Sequence, residues 1–468
     1  MADWDLDDLM YWDECIREKV LAFGLDCYPQ EFEIMDHLQM LGAMTYSGMP
    51  SHYPHWSYGK AFEKLKTLYD YGVQGLPYEM VINSNPSLAY LMRDNSLLLQ
   101  ILTMAHVHGH NDFFKNNFTF QTTRPEYVLG MFKAHASRVR SYQEDPTIGA
   151  EQVERVLDAA HALSLQCRRD LHIRKLPVEE ERRRQLDAAT PPADPYGELH
   201  KPPDHHEPDF HQLPPQPEAD LLLVIRDHNA RLSDWERDLL TIVHDEARYF
   251  LPQIETKIMN EGWASFWHRE ILNSLELPQE LHLEFLVRHN QVVRPTPGSL
   301  NPYHIGLKLW DSLDAAATGT TPEGDQGKVR AKLFETRAAD RDVSFLRRFL
   351  TPELMRDLDL FQHQSEGGNR VVAEVSDDEG WEQIKDTLLK NVGMGSIPVI
   401  KVVDVDYRHS GTLLLRHYHD DRDLHLTYAE HTLEHIYQLW GREVVLETLL
   451  SDKAVELRFT DEGFSQRS

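Results

Sequence analysis

The sequence predicts a mainly α-helical body, with a metallopeptidase-like fold as one option, followed by a C-terminal α+β domain. Three observations lead to this prediction. Apolar residues recur at helical spacing through most of the first 335 residues. Runs rich in Val, Ile and Leu, which are typical of strands, appear after about residue 340. The 468 residues, 41% of them hydrophobic, are enough to form more than one domain.

Four segments follow from these patterns. They are a first half of the helical body (1–170), a Pro/His-rich linker or long loop (171–219), a second half of the body (220–335) and the α+β domain (336–468). Proline clusters and a scarcity of large apolar residues distinguish the linker from its neighbours. This composition is typical of a segment without a packed core of its own.

Helices are predicted where the apolar period is close to that of an α-helix. The predicted helices are 1–23, 31–44, 61–75, one beginning between 84 and 87, 95–114, two within 123–170, 219–230 and 233–248. Ser233 and Glu236 form the sequence pattern of a capping box at the start of the last of these. The predicted strands are 80–82, 369–376, 397–407, 412–419 and 444–448, with further helices at 378–392 and 427–440.

The stretch 245–273 is predicted to lie at the centre of the body. Its apolar residues predict two helical segments with a joint near Pro252. In the second segment, Glu261 and His268 are seven residues apart and therefore share one helical face. Gly262 leaves room beside Glu261 for a close neighbour. Because a carboxylate and an imidazole are costly to bury unpaired, we expect another element to meet this face.

Composition excludes several classes of function. The 76 acidic and 48 basic residues give a formal charge of −28, which argues against general binding of nucleic acids or anionic membranes. Cys15, Cys27 and Cys167 are too few and too far apart for a disulfide framework or a cysteine zinc cluster. The acidic N-terminal stretch is unlike a secretory signal, and no apolar run reaches about 18 residues. We therefore expect a cytoplasmic protein without a membrane span.

Two histidines on the predicted helix 95–114 have the spacing of a metal site. His106 and His110 are at i and i+4, the spacing by which two imidazoles reach one zinc ion in H-E-x-x-H motifs. Val107 follows the first histidine here, at the position where that motif carries its water-activating glutamate. His108, two residues from each of the pair, should point to another side of the helix.

A glutamate from a later helix is expected to complete such a site. The segment NEGWAS, residues 260–265, is similar to the N-E-G-[aromatic]-A-[small] segment that carries the third ligand in gluzincin-type aminopeptidases. In those enzymes the two motifs are much closer together in sequence. The resemblance implies Glu261 as a ligand beside His106 and His110.

The remaining positions of the site are open at this point. Three residues could complete the site as a fourth ligand, as a group that supports a ligand, or as a general base: His268, Glu246 or Asp112. The candidate catalytic residues are Glu246 and His268. Zinc fits nitrogen and oxygen ligands without thiolates, and a set enriched in carboxylates by Glu246 would also admit iron or manganese. The alternative is a buried hydrogen-bonded network of His106, His110, Glu261 and His268 that holds no metal.

Longer blocks of sequence resemble one family. The blocks are GLDCYPQEFEIM (24–35), YSGMPSHYPHWSYGK (46–60), YEMVINSNPSLAYLM (78–92), AHVHGHNDFFKNNF (105–118), YFLPQIETKIMNEGWASFWH (249–268), NPYHIG (301–306) and YAEHTLEHIYQLWGREVVLET (428–448). In these blocks the chain resembles the SpoVR (stage V sporulation protein R) family, and the resemblance spans most of its length. The Pro/His-rich stretch 177–217 does not match the pattern.

The resemblance implies a process and partners but no reaction. It implies a cytosolic bacterial protein tied to sporulation and the peptidoglycan cortex, or to stress and stationary phase in bacteria that form no spores. The implied partners are a PrkA-type serine kinase and a YeaH-type protein with a von Willebrand A fold.

Three hypotheses about function follow. The first, which we favour from the sequence, is a regulatory or scaffold protein that acts with these partners. The second is a metal-dependent hydrolase of a peptide or amide bond that uses His106, His110 and Glu261. The third is a metallopeptidase-like fold that keeps its metal for structure and works by binding.

Overall fold

The structure, a computed structural model, describes residues 4–73, 75–170, 173, 175–189, 213–295, 300–320, 326–358, 360, 363–366, 369–372 and 378–467. The chain divides into two compact units. Unit 1 comprises Met1–Arg140 and Tyr249–Ser396, and unit 2 comprises Ser141–Arg248 and Ile397–Ser468. Within the described ranges no helix is both long and apolar enough to cross a bilayer.

Seventeen α-helices are present in the described part of the chain. In chain order they are α1 (Leu6–Phe23), α2 (His37–Thr45), α3 (Trp56–Asp70), α4 (Leu97–Asn116), α5 (Val128–Glu144), α6 (Ala150–Leu163), α7 (Val178–Ala189), α8 (Leu221–His228), α9 (Asp234–Glu255), α10 (Lys257–Ser274), α11 (Gln279–Val293), α12 (Pro302–Thr320), α13 (Gln326–Ala339), α14 (Asp342–Phe349), α15 (Pro352–Asp357), α16 (Asp378–Asn391) and α17 (Leu426–Trp440). The predicted helical body is confirmed by this arrangement.

The strands of the described residues form three sheets. They are β1 (Gln30–Met35), β2 (Glu79–Ile82), β3 (Ser87–Met92), β4 (His363–Glu366), β5 (Asn369–Val372), β6 (Ile400–Tyr407), β7 (Thr412–His417), β8 (Val444–Leu450), β9 (Lys453–Thr460) and β10 (Gly463–Arg467). The strand orders are β1-β3-β2, β10-β9-β8-β7-β6 and the hairpin β4-β5. The C-terminal sheet confirms the predicted α+β character of the end of the chain, whereas the metallopeptidase-like option remains a prediction.

Of the helices predicted in the first hundred residues, one is wrong at its start and another is wrong altogether. The segment predicted as one helix over 31–44 is the strand β1 followed by α2, and the helix predicted to begin between 84 and 87 is the strand β3. β1 and β3 pair in parallel along their whole lengths, from Gln30 with Ser87 to Met35 with Met92. The backbone hydrogen bonds of this pairing, between segments far apart in sequence, override the local helical pattern.

Helix α1 confirms the helix predicted over residues 1–23, and only a narrow stripe of it is buried. Leu9, Ile16 and Val20 are buried, whereas Leu6 and Met10 are exposed by 65% and 70%. The helix begins with a capping box in which the Asp5 and Asp8 side chains each accept a backbone N–H at the other residue. The same device was predicted for α9, where the Glu236 carboxylate accepts from the Ser233 N–H and hydroxyl at 2.8 and 2.6 Å.

The core of unit 1 is built around α4, α10 and α12. Every residue of α4 from Leu98 to Phe114 is buried. Helix α10 packs against both α4 and α12, and its Trp263 and Trp267 are buried in the core. The predicted apolar positions of the central stretch are therefore core positions, which confirms that this stretch organises the body.

The joint in the central stretch is confirmed, although it lies later than predicted. Helix α9 continues through Pro252, and the break comes at Thr256, immediately before α10. The Thr256 hydroxyl donates to the Pro252 carbonyl at 2.7 Å. The two oxygens of the Asp342 carboxylate then accept the N–H groups of Ile258 and Met259 at 2.9 and 2.8 Å. These bonds satisfy donors at the start of α10 and fix the position from which Glu261 projects.

Unit 2 combines the C-terminal sheet with helices from the middle of the chain. Strand β7 is followed by α17 and then by β8, which pairs in parallel with β7. Helix α6 packs on α17, and Glu218 pairs with Val402 of β6 in an isolated bridge. All strands of this sheet lie after residue 399, so the segment predicted to begin at 336 starts with helices of unit 1.

Part of the sequence prediction falls outside the described residues. Residues 190–212 of the Pro/His-rich segment belong to this part, whereas α7 lies within the described portion of the segment. The strand predicted over 369–376 is described only as β5.

Candidate metal centre

Helix α4 carries the two predicted histidine ligands. Its first turn is capped by Ser96, whose hydroxyl accepts the Leu99 N–H. His106 and His110 are four residues apart on this regular helix. Their rings therefore lie on one face, with centroids 4.6 Å apart. His108 points to another side, where its Nε2 is 3.7 Å from a carboxylate oxygen of Asp13. The predicted separation of His108 from the pair is confirmed.

Glycines allow the helices of the site to approach closely. A Cβ atom added to Gly109 of α4 would lie 2.6 Å from the Cα of Ala264 in α10. A Cβ atom on Gly262 would lie 2.3 Å from the carbonyl carbon of Gly306 in α12. Side chains at these positions would force the helices apart. The expected close neighbour of Gly262 is thus the backbone of α12, and Glu261 comes to face the histidines of α4.

The three predicted ligand atoms converge at one point. An oxygen of Glu261 lies 3.7 Å from His106 Nε2 and 3.5 Å from His110 Nε2. Ligand atoms at about 2.1 Å from a zinc ion with tetrahedral angles are about 3.4 Å apart. Among the described residues, one group of His, Cys, Asp and Glu side chains has its ligand atoms close enough together to hold one ion. Its members are His106, His110 and Glu261.

The hydrogen bonds of these residues are those expected of a metal site rather than of a hydrogen-bonded network without a metal. His106 Nε2 and Glu261 Oε2 are buried and have no hydrogen-bond partner. The other ring nitrogens are bonded: His110 Nδ1 to Asn260 Oδ1 at 2.9 Å, and His106 Nδ1 to His268 Nδ1 at 2.9 Å. In metal sites, imidazole ligands use one nitrogen for the metal and the other for such a bond. Unpartnered buried polar atoms, by contrast, are costly in a metal-free core.

Electrostatics keep His110 and Glu261 in the protonation states that metals require. Burial lowers the pKa of His110 to about 4, so the imidazole is neutral at pH 7. Burial alone would raise the pKa of Glu261, but the neighbouring His106 and His110 imidazoles and the Tyr303 hydroxyl outweigh burial and hold the pKa below its ordinary value. The site therefore offers a carboxylate and a neutral imidazole at neutral pH.

A cavity of about 270 Å³ opens onto this group. Its lining residues are Glu79, Val81, His110, Phe114, Gln253, Lys257, Asn260, Glu261 and Tyr303. Polar and apolar groups meet in the cavity beside the unpartnered Oε2 of Glu261. A small molecule or one residue-sized group fits a space of this volume.

Sequence reasoning missed two functional candidates in the cavity. A carboxylate oxygen of Glu79, on β2, lies 4.0 Å from His106 Nε2. Burial and the neighbouring Glu261 raise the pKa of Glu79, although His106 opposes them. The Tyr303 hydroxyl is hydrogen-bonded to Glu261, whose negative charge, together with burial, raises the pKa of the phenol. No spacing rule links either residue to the histidines, although both lie in blocks that resemble the family.

The other predicted site residues have different surroundings. His268 lies between His106 and His289 and uses both ring nitrogens. Asp112 is buried on another side of α4, where its two oxygens are 2.5 and 2.6 Å from Nη1 of Arg337. Glu246 is buried in the part of α9 that belongs to unit 2. The proposed catalytic roles of Glu246 and His268 remain predictions.

Comparisons with known proteins identify the family. A family model described as SpoVR like protein matches residues 3–397, and one described as SpoVR-like C-terminal domain matches residues 398–451. The uncharacterized protein YcgB of Escherichia coli (strain K12) is 32% identical over 482 residues, which cover 97% of this chain and 94% of that protein. No solved structure matches the chain. The boundary between the two family models falls beside Ile397, where unit 2 resumes, and the chain belongs to the SpoVR family.

Proposed function

We propose that this protein is a metal-dependent hydrolase that cleaves a peptide or amide bond, with one divalent ion held by His106, His110 and Glu261. The observation that carries the proposal is the convergence of three ligand atoms, two of them buried without a hydrogen-bond partner, at the wall of an open cavity. Zinc suits this set of two imidazoles and one carboxylate, and iron or manganese are the alternatives.

Glu79 supports a hydrolytic role because it supplies what the helix motif lacks. Val107 stands where the H-E-x-x-H motif has its general base, and Glu79 brings a carboxylate to the same group from β2. A carboxylate with a raised pKa is suited to take a proton from the attacking water and return it to the leaving amine. A divalent ion in this position would polarise the carbonyl of the scissile bond.

Tyr303 and Asn260 orient the ligands in this proposal. The Tyr303 hydroxyl donates to Glu261, and Asn260 Oδ1 accepts from the Nδ1–H of His110. The second bond leaves the Nε2 lone pair of His110 directed to the ion. Both residues line the cavity, so both would also lie beside a bound substrate.

Metal content and peptide cleavage together test the proposal. The purified protein, dialysed against a chelator and reloaded with Zn²⁺, is compared with Glu261→Ala and with Glu270→Ala, a control in the same helix whose carboxylate pairs with Arg269. We expect about one zinc per chain and release of new amines from N-blocked peptides for the wild type and the control, and neither for Glu261→Ala. A folded wild type that binds no metal would overturn the proposal.

A regulatory role with partner proteins is a second candidate. We propose the cytosolic location, the link to sporulation or envelope stress, and the PrkA-type kinase and YeaH-type von Willebrand A partners that family membership suggests. The observation in its favour is an exposed apolar stripe on α11, formed by Leu283, Leu286 and Val287 at 57%, 43% and 55% exposure. Such a stripe is typical of a helix face that binds another protein.

Mixing experiments test the second candidate separately from catalysis. Each purified partner is titrated into the wild type and into Leu286→Asp, with Glu280→Gln on the same helix as the control. We expect the aspartate to weaken binding at least tenfold and the control to bind like the wild type. Equal binding by all three proteins would exclude the α11 stripe as the contact, and no binding at all would exclude the direct partnership.

A further inference from the structure

Three buried histidines form a hydrogen-bonded row that starts at the candidate metal centre. His106 Nδ1 lies 2.9 Å from His268 Nδ1, and His268 Nε2 lies 2.8 Å from His289 Nδ1. The residues come from α4, α10 and α11, and their exposed fractions are 3%, 0% and 8%. The row therefore links a ligand residue to a helix that does not line the cavity.

Helix α11 is anchored so that His289 keeps its place. The Ser96 hydroxyl at the start of α4 donates to the Glu284 carboxylate of α11 at 2.7 Å. Beyond the other end of α11, the Asn301 amide donates to the carbonyls of Val292 and Arg294 at 3.0 and 2.8 Å. These bonds hold the helix on both sides of His289.

The hydrogen bonds of the row allow two arrangements of protons. A neutral imidazole has one N–H donor and one acceptor nitrogen. His268 is fully buried and bonds to another imidazole through each of its nitrogens, so one of its nitrogens donates and the other accepts. In one arrangement His106 donates to His268 and His268 donates to His289. In the other, both bonds run in the opposite direction.

Only the first arrangement is compatible with a metal ligand at His106. When His106 Nδ1 carries the proton, its Nε2 lone pair faces Glu261. In the reverse arrangement Nε2 carries the proton and points at the Glu261 carboxylate, which lies 3.7 Å away. The direction of the row thus decides whether His106 presents a lone pair or a proton to the site.

We propose that His268 and His289 are positioning residues that hold the Nε2 lone pair of His106 toward the metal, and that metal binding selects this direction along the whole row. The inference rests on the proposed metal centre and deepens it.

The change of direction conserves protons. One proton is displaced from His106 Nε2 to solvent, one moves across each of the two hydrogen bonds, and one is taken up from solvent at His289 Nε2. The row as a whole gains and loses one proton, and each ring ends with its proton on the other nitrogen.

Substitutions that keep or remove the acceptor test the inference. The amide oxygen of asparagine can occupy the position of ring Nδ1, so His268→Asn keeps an acceptor for His106, whereas His268→Phe keeps the ring shape without one. We expect the Zn²⁺ affinity, measured by competition with a chromophoric chelator, to fall about 10- to 100-fold in His268→Phe and less than about tenfold in His268→Asn. His289→Asn and His289→Phe should show the same order with smaller losses.

Packing alone predicts the opposite order, because asparagine leaves more empty space than phenylalanine. His108→Phe is the control for removing a buried imidazole from α4 outside the row, and it should bind Zn²⁺ like the wild type. If His268→Phe binds as tightly as His268→Asn, the positioning role is wrong while the metal centre stands. If the wild type binds no Zn²⁺, the proposed function and this inference both fail.

Nitrogen chemical shifts of the wild type provide a test that needs no variant. In protein labelled with ¹⁵N histidine, Zn²⁺ should place the protons on His106 Nδ1, His268 Nε2 and His289 Nε2. We expect the proton of His289 to be on Nδ1 in the metal-free protein and to move when the ion binds. An unchanged tautomer of His289 in a protein that has bound Zn²⁺ would overturn selection by the metal.

Discussion

Gly262 and Gly306 lie in direct backbone contact where α10 crosses α12. A Cβ on Gly262 would be 2.3 Å from the carbonyl carbon of Gly306, and a Cβ on Gly306 would be 2.2 Å from the carbonyl oxygen of Ile258. These distances are far below any normal contact, so neither glycine can accept a side chain without a shift of backbone. Because Glu261 precedes Gly262, the contact also sets the position of a candidate metal ligand.

We expect Gly262→Ala to destabilise the protein by about 1–3 kcal/mol or more, because α10 and α12 must separate. The displaced Glu261 should also lower the Zn²⁺ affinity. Chemical denaturation and chelator competition measure the two effects. Gly319→Ala, at an open position of the same α12, is the control and should leave both unchanged or raise stability by up to about 1 kcal/mol. A fully stable Gly262→Ala would show that the helices can separate freely.

Glu79→Gln should separate metal binding from catalysis. The amide has nearly the shape of the carboxylate but cannot accept the proton, so we expect the rate of peptide cleavage to fall by about 10²- to 10⁴-fold while zinc content stays near one per chain. Glu31→Gln, on β1 of the same sheet, serves as the control. Loss of zinc from Glu79→Gln would instead identify Glu79 as a ligand, and full activity would remove it from the reaction.

Arg337→Met should destabilise unit 1 strongly. The Asp112 carboxylate is fully buried between the Arg337 guanidinium, the Trp263 indole N–H at 2.9 Å and the backbone N–H of Asp26 at 2.8 Å. Burial raises the pKa of Asp112 even though the nearby Arg337 charge lowers it. Leaving this charge unpaired costs about 3–5 kcal/mol in typical proteins.

Urea unfolding of the single and double variants tests this pair. Asp112→Asn combined with Arg337→Met should be more stable than Arg337→Met alone, because no unpaired charge remains. A double variant that loses the sum of the two single losses would show that the charges are not coupled.

His244 should make the stability of unit 2 depend on pH. Burial alone would lower the pKa of His244, but Asp220 at 3.5 Å and Asp245 at 3.2 Å raise it. The pKa of Asp220 is in turn lowered to about 2, because its hydrogen bonds outweigh the effect of burial. The contribution of His244 is therefore complete below about pH 6.5 and is lost as the pH rises through its raised value. That of Asp220 is complete above about pH 4 and is lost toward pH 2.

Hydrogen exchange of the amides in α8, which follows Asp220 directly, measures this dependence. Protection in the wild type should fall between pH 6 and pH 8, after correction for the intrinsic exchange rate. His244→Gln should be less protected at pH 6 and show little further change. An equal slope in both proteins would contradict the role of His244.

Local sequence rules were sufficient for part of the site. The spacing of His106 and His110 places both on one helical face, and the seven residues from Glu261 to His268 do the same on α10. The cost of burying such groups unpaired correctly predicted that the two faces meet. Glycine beside Glu261 likewise predicted a close neighbour, which is α12.

Other features depended on contacts between distant segments. Residues 31–35 have a helical pattern but form a strand, because they pair in parallel with β3. The periodicity of one segment does not reveal which distant segment will pair with it. Glu79 reaches His106 from β2, which pairs with β3. His289 reaches His268 from another helix, so no spacing in the sequence indicated the row.

The sequence by itself determined which residues share a helical face, which positions are buried in the central helices, and the SpoVR family resemblance that the family models confirm. Only the tertiary structure decided which nitrogen and oxygen atoms have partners. A face is set by the geometry of one helix, whereas the surroundings of an imidazole depend on every element that packs around it. For that reason the unpartnered Nε2 of His106, on which the proposed function rests, became visible only in the folded chain.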